Sequence, residues 1–301
     1  YLVNTDLHIL ATLFNNCHFL KALELAEWGD QEYNPHPSGC NSLNPPSTLQ
    51  TLALFDSDYD ASIDHLVQQC QSLQCIQFID CRFPHWEMPQ ILQQIECLSY
   101  YNCRDIYFSV YFNRLLLSLD YLRELVLHEY DELSEDILSV VSQKIGTTLR
   151  RVELADCGDV STRGLATLII SATKLEYLSI DSCKFDLTLF SYIALMGFRN
   201  QYMTHFRLDE VAPLSSAGII SIAEIFPALL LLEITIQHIS PSELAGNIAT
   251  LARLHTLKIK TAATGTISET PVTSARLHIF VQNITSLMFV KWDTITVERA
   301  Q

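Results

Sequence analysis

The chain has 301 residues, 49% of them hydrophobic, with nine cysteines, nine glycines and a formal net charge of −15 at pH 7. This apolar content excludes a disordered chain, and the charge repels phosphate backbones and anionic membrane surfaces, so neither nucleic acid nor membrane is expected as a partner. Nine glycines leave little material for a Gly-rich phosphate loop, and no apolar run reaches the roughly 18 residues of a membrane helix.

In chain order, "NTDLHILATLFNNC" reads as the helical half of a repeat whose strand is missing, and the chain begins with Tyr1 rather than Met. We therefore expect a fragment whose N-terminal cap or preceding region lies outside it. From there a nine-residue pattern recurs. It has apolar residues at positions zero, three and five and a compact residue at eight, as in "LRRVELADC" and "LEYLSIDSC". Copies start at Leu20, Leu49, Leu73, Cys103, Leu122, Leu149, Leu175, Met203, Leu231, Leu254 and Ile284. Their spacing averages about 26 residues, within the range of leucine-rich repeats.

Positions three and five alternate with two, four and six, which predicts a short strand with one face buried and one open. Beyond position eight the period becomes helical. Leu165, Leu168, Ile169 and Ala172 fall at i, i+3, i+4 and i+7 behind a Ser/Thr start, and Ile219, Ile222, Ala223 and Phe226 repeat this. Two insertions break the rhythm, at 29–48, rich in Pro, Asn, Ser and Gly, and at 261–275, small and polar.

One strand and one helix cannot bury their apolar faces alone, so neighbouring units must stack. Strands packed at about 4.8 Å and helices at about 10 Å force the stack to bend with its strands inside. The expected fold is α/β: one leucine-rich-repeat solenoid over 1–301, a horseshoe of about eleven repeats with parallel strands on the concave face and helices on the convex face.

The stretch 149–183, with Cys81, Cys157 and Cys183 at position eight and Cys17 and Cys70 three residues before a new repeat, resembles the cysteine-containing leucine-rich repeats of F-box proteins, the substrate receptors of cullin-type ubiquitin ligases. That resemblance implies a substrate-recognition domain tethered to a ligase adaptor through a missing N-terminal F-box. Nothing in 1–301 reads as an F-box. An interaction or inhibitor module unrelated to ubiquitin, or a GTPase-regulating leucine-rich-repeat protein, are the alternatives.

The cysteines lie inside apolar periodic segments rather than at loop staples, so we expect reduced thiols in a cytoplasmic or nuclear protein. Cys70, Cys75 and Cys81 owe their spacing to the repeat, and His36 and Cys40 share one loop but make only two ligands. No metal and no cofactor is expected. No histidine sits beside a Ser or Cys in a nucleophile context, so no catalytic residue and no enzyme activity is expected. Asn283-Ile284-Thr285 matches a glycosylation sequon, but Ile284 is expected in the core.

Function is expected on the open strand face. Its positions two, four, six and seven carry Glu24, Glu27, Asp56, Asp80, Asp105, Glu124, Glu129, Glu153, Asp156, Asp181, Asp209, Glu210 and Glu233, against Arg151 and Arg207, with Lys258, Lys260 and Lys291 only in the last two repeats. Such an arc would attract a protein partner with a basic segment. The expected contact residues are Glu129, Arg151, Glu153, Asp156, Tyr177, Asp181, His205, Arg207, Asp209 and Glu210, a mixed-charge patch with an aromatic and a histidine.

Overall fold

The computed structural model describes residues 2–3, 7–27, 44–57, 61–82, 94–103, 115–130, 133–237, 239–262 and 272–299. Most of both predicted insertions, including His36 and Cys40, and Asp105 lie outside the described residues. Two compact units are present: Tyr1–Glu132 with Val140–Leu149, and Leu133–Ser139 with Arg150–Gln301.

In the first unit, strands β1 (Leu2–Val3), β2 (Ala22–Ala26), β3 (Thr51–Phe55), β4 (Cys75–Ile79), β5 (Cys97–Tyr101) and β6 (Glu124–His128) pair in chain order, all parallel. Helices α1 (Leu7–Asn16) and α2 (Ala61–Gln69) connect them, and α3 (Glu135–Ile145) follows across the sequence boundary of the units. The second unit alternates β7 (Arg151–Ala155), α4 (Thr162–Ser171), β8 (Tyr177–Asp181), α5 (Thr188–Leu195), β9 (His205–Asp209), α6 (Ser216–Ile225), β10 (Leu231–Ile236), α7 (Pro241–Asn247), β11 (Thr256–Thr261), α8 (Ser274–Asn283) and β12 (Phe289–Trp292). Its strands are parallel in chain order until β13 (Ile295–Glu298), which closes the end as an antiparallel hairpin with β12. Each unit is thus a stack of α/β leucine-rich-repeat rungs.

The register corrects three repeat starts. Cys75 pairs with Cys97, so the fourth rung begins at Ile95 rather than Cys103. Phe289 pairs with Thr256, so the last begins at Leu287 rather than Ile284. In both rungs position five holds a ring other than Phe, Tyr100 in one and Trp292 in the other, and both rings are buried. A pattern that admits Leu, Ile, Val, Met, Phe or Cys but neither Tyr nor Trp slides to a false register there. Leu231 pairs with His205 and Thr256, which moves the ninth start to Leu229. That shift of two residues keeps the same face, since strand periodicity is two. Ile284 does not belong to the core; it is the half-exposed C-cap of α8.

With Ile95 as its start, the fourth rung places Cys103 at position eight, in the column of Cys81. That column bonds both within its own turns and across rungs, as where Cys81 N donates to Cys103 Sγ at 3.3 Å. The thiols of Cys81, Cys103, Cys157 and Cys183 each donate to the carbonyl two residues back, at 3.4, 3.2, 3.4 and 3.1 Å. Ser57, at the same position, donates its hydroxyl to Phe55 O at 2.7 Å. A small buried side chain with one weak donor satisfies the turn where the strand ends, which explains why cysteine recurs there.

Just before it, position seven takes a left-handed backbone: Glu27, Asp56, Asp80, Asn102 and Glu129 in the first unit, and Asp156, Ser182 and Glu210 in the second, all have φ between 44° and 55°. The turn lets the amide of one rung reach the next. Asp56 N donates to Ile79 O at 2.9 Å, and Asp156 N donates to Asp181 O at 3.0 Å. Asp and Asn tolerate this conformation better than bulky residues do.

The predicted helix faces are buried as expected, with Leu165, Leu168, Ile169 and Ala172, and Ile219, Ile222, Ala223 and Phe226, all sequestered. Ser161 and Ser215 cap these helices by accepting from Gly164 N and Gly218 N. Gly164 is required by packing: a Cβ there would sit 2.9 Å from Leu138 Cβ and 3.2 Å from the Glu135 backbone. Gly164→Ala is expected to cost about 1–3 kcal/mol. Gly246, in α7 with nothing within 4 Å of an added Cβ, is expected to gain about 0.5–1 kcal/mol as Gly246→Ala. Opposite shifts of the urea midpoint in the two variants check both statements.

Candidate protein-binding face

On the open side of the second unit, the pairing register lays position-two residues Arg151, Tyr177, His205, Leu231 and Thr256 in one row, and position-four residues Arg207, Glu233, Lys258 and Lys291 in the next. Arg151 has its guanidinium carbon 3.7 Å from the centre of the Tyr177 ring while donating to Glu153 at 2.6 Å. Tyr177 in turn stacks on His205 at 6.1 Å between ring centres, and His205 Nδ1 lies 2.8 Å from Thr204 Oγ1. Five side chains therefore hold each other in an aromatic row with a cation on its face.

Beside it is an ion-pair network. Arg207 donates to Asp181 at 3.1 Å and to Asp209 at 2.9 Å, and its Nε lies 3.7 Å from Glu233. Lys260 reaches from β11 across β10 to both Asp209 oxygens, at 2.5 and 2.6 Å. Lys258 meets Glu233 at 3.1 Å. Asp209 is the pivot, with its side chain only 5% exposed. Burial raises its pKa, but the hydrogen bonds from Lys260 and Arg207 outweigh it and hold the carboxyl below its ordinary 3.8. The same contact with Asp209 is the main cause that raises Arg207 and Lys260 above their usual values.

Of the expected contact residues, the structure brings together Arg151, Glu153 and Tyr177 with His205, and Asp181, Arg207 and Asp209. Asp156 and Glu210 lie at the rim, in the left-handed turn, where Glu210 accepts from Ser182 Oγ at 3.2 Å. Glu129 occupies the equivalent turn of the first unit. Sequence reading set Lys258 and Lys260 apart from the acids as the basic end of an arc. In the folded unit their reach neutralises Glu233 and Asp209, because long lysine side chains cross one or two strands. Reading charge by strand row, rather than by distance along the chain, would have found this.

The first unit's open face differs. Row six carries Phe55, Ile79, Tyr101 and His128, all half-buried, with Tyr101 and His128 edge to face at 4.5 Å. None of these four residues is acidic, so an acidic pattern does not mark this row. Its signal was an aromatic or apolar residue at successive position sixes.

Among the described residues, no three His, Cys, Asp or Glu side chains converge as a metal site, and no helix is long and apolar enough to cross a membrane. No family model and no curated protein matches the chain. Among solved structures it is similar to one described as the crystal structure of the Rad7 and Elc1 complex in yeast, with 13% identity, a TM-score of 0.43, and coverage of 90% of this chain and 88% of that one.

Proposed function

We propose that the chain is a protein-binding scaffold that acts by holding a partner rather than by turnover, and that its role is substrate recognition for an F-box-type ubiquitin ligase. The observation that carries the binding reading is the Arg151–Tyr177–His205 row beside the Asp181–Arg207–Asp209–Lys260 network. Aromatic and arginine side chains held by neighbours are the groups that supply most interface energy, since little entropy is lost when they are covered. The network adds a rim whose charges select a partner with complementary rows of both signs. The ligase reading rests on the cysteine-column resemblance.

Affinity capture from the native cell extract tests both parts. Wild-type chain is expected to retain a partner that an Arg151→Ala, Tyr177→Ala double variant loses at least tenfold. Where the bait carries whatever sequence its gene encodes upstream, the adaptor that joins F-box proteins to a cullin is expected in the same eluate. A partner retained equally by the double variant contradicts the binding face. A partner that depends on the face, with no adaptor in the eluate, leaves a scaffold unrelated to ubiquitin.

A further inference from the structure

The same rung geometry that builds the cysteine column places a second pair of thiols where solvent reaches them. Cys75 on β4 and Cys97 on β5 both occupy position two, face the open side of the first unit, and are direct partners in the parallel register. Both are half-exposed and unbridged. Their row runs Ala22, Thr51, Cys75, Cys97, Glu124.

We propose that Cys75 and Cys97 form a thiol–disulfide modification site, a vicinal dithiol that a low-molecular-weight disulfide such as oxidised glutathione converts to a cross-strand bridge.

Three observations support it. Neighbouring strands lie about 4.8 Å apart, inside the Cα separation of about 4.4–6.8 Å that a disulfide spans. Side chains of an in-register parallel pair leave the sheet in the same direction, so the Cβ separation stays close to the strand spacing rather than the mean of about 3.8 Å. The bridge is therefore strained and readily reduced again, which is the property of a labile disulfide rather than a structural staple.

Second, the two thiols are chemically unequal. The Cys97 thiol donates to Cys75, and this is the main cause that lowers the Cys75 pKa, against burial and the carboxylates of Glu124 and Glu96. The same hydrogen bond raises the pKa of Cys97. Cys75 is therefore the expected attacking thiol and Cys97 the expected resolving one.

Third, the chain contains its own controls. Cys81 and Cys103 stand on the same two rungs, at position eight, yet are 1% and 5% exposed, and Cys157 and Cys183 are 0% and 2% exposed. Equal rung spacing with no solvent access predicts no reaction there.

The steps balance. The Cys75 thiolate attacks one sulfur of oxidised glutathione, forming a mixed disulfide and releasing one glutathione thiolate. The Cys97 thiol loses its proton and its thiolate attacks the Cys75 sulfur, expelling the second glutathione. Two protein thiols are oxidised, one disulfide is reduced to two thiols, and the two thiol protons pass to the glutathione thiolates. The product staples β4 to β5 across the open face.

The test uses the chain with Cys17→Ser and Cys40→Ser, which removes the exposed thiol Cys17 and the insertion thiol. After incubation with oxidised glutathione under native conditions, intact mass is expected to fall by two hydrogens, and peptide mapping to give one linked pair, Cys75 with Cys97. Cys97→Ser in the same background is expected to stop at the mixed disulfide, gaining one glutathionyl group on Cys75. Phenylarsine oxide, which needs two adjacent thiols, is expected to bind one to one and to be lost in Cys75→Ser and in Cys97→Ser. A folded protein, by circular dichroism, that neither loses the two hydrogens nor binds the arsenical overturns the proposal. So does a linkage of Cys81 with Cys103 at equal yield.

Discussion

Phe206→Ala is expected to destabilise the second unit by about 3–5 kcal/mol. Phe206 occupies position three of β9, is fully buried, and lies between Phe190 of α5 at 5.6 Å and Phe226, beyond the end of α6, at 5.1 Å between ring centres. Removing the ring leaves a void lined by two other rings whose backbones are fixed by separate helices, so the site cannot collapse to fill it. Stability in a repeat stack is a sum of rungs and their interfaces, and Phe206 sits in the middle of both neighbouring interfaces. The measurement is a denaturant titration followed by circular dichroism, with Phe206→Leu alongside, which retains most of the volume and should lose less than half as much. An alanine variant within 1 kcal/mol of wild type contradicts the packing described here.

Asp209→Ala is expected to cost about 2 kcal/mol. Breaking a fully buried pair by removing one partner costs roughly 3–5 kcal/mol, but the cations left behind, Arg207 and Lys260, have side chains 35% and 51% exposed, so water screens part of that cost. The pH dependence follows from the direction of the shift. Asp209 has a folded pKa below its ordinary 3.8, so its ionised form is favoured by folding; its contribution is complete above that ordinary value and is lost as pH falls through the lower, folded one. Asp209→Asn removes the charge and most of this contribution. Chemical denaturation at pH 7 and at successively lower pH should show the difference between wild type and Asp209→Asn narrowing only below about pH 4. A difference independent of pH down to 2 would mean that the carboxylate is not held by these cations.

The fold was legible because two periods, two and about 3.6, alternate along the chain, and because most rungs fill positions three and five with aliphatic residues. Three starts were missed for identifiable reasons. Tyr100 and Trp292 stand where the pattern admitted Leu, Ile, Val, Met, Phe or Cys, and the Leu-rich run 229–232 offers two registers of the same face. The candidate site was legible in part. Arg151, Tyr177, His205, Arg207 and Asp209 stand out by position because open-face residues are set by strand alternation alone. Which charges meet depends on how far a side chain reaches across neighbouring strands, and the Lys260 to Asp209 contact spans 51 residues of sequence. The acids at position seven owe their place first to the left-handed turn, a backbone requirement that periodicity does not reveal.

The open strand face of the second unit is proposed as the binding face. Its most direct measurement is the affinity of the captured partner, by calorimetric titration, for wild type, for the Arg151→Ala, Tyr177→Ala variant, and for Leu195→Ser on helix α5, a residue 87% exposed. Weakening by at least tenfold, about 1.4 kcal/mol, in the open-face variant with unchanged affinity in the helix variant is the expected result. Unchanged affinity in the open-face variant and loss in the helix variant would place binding on the helices instead.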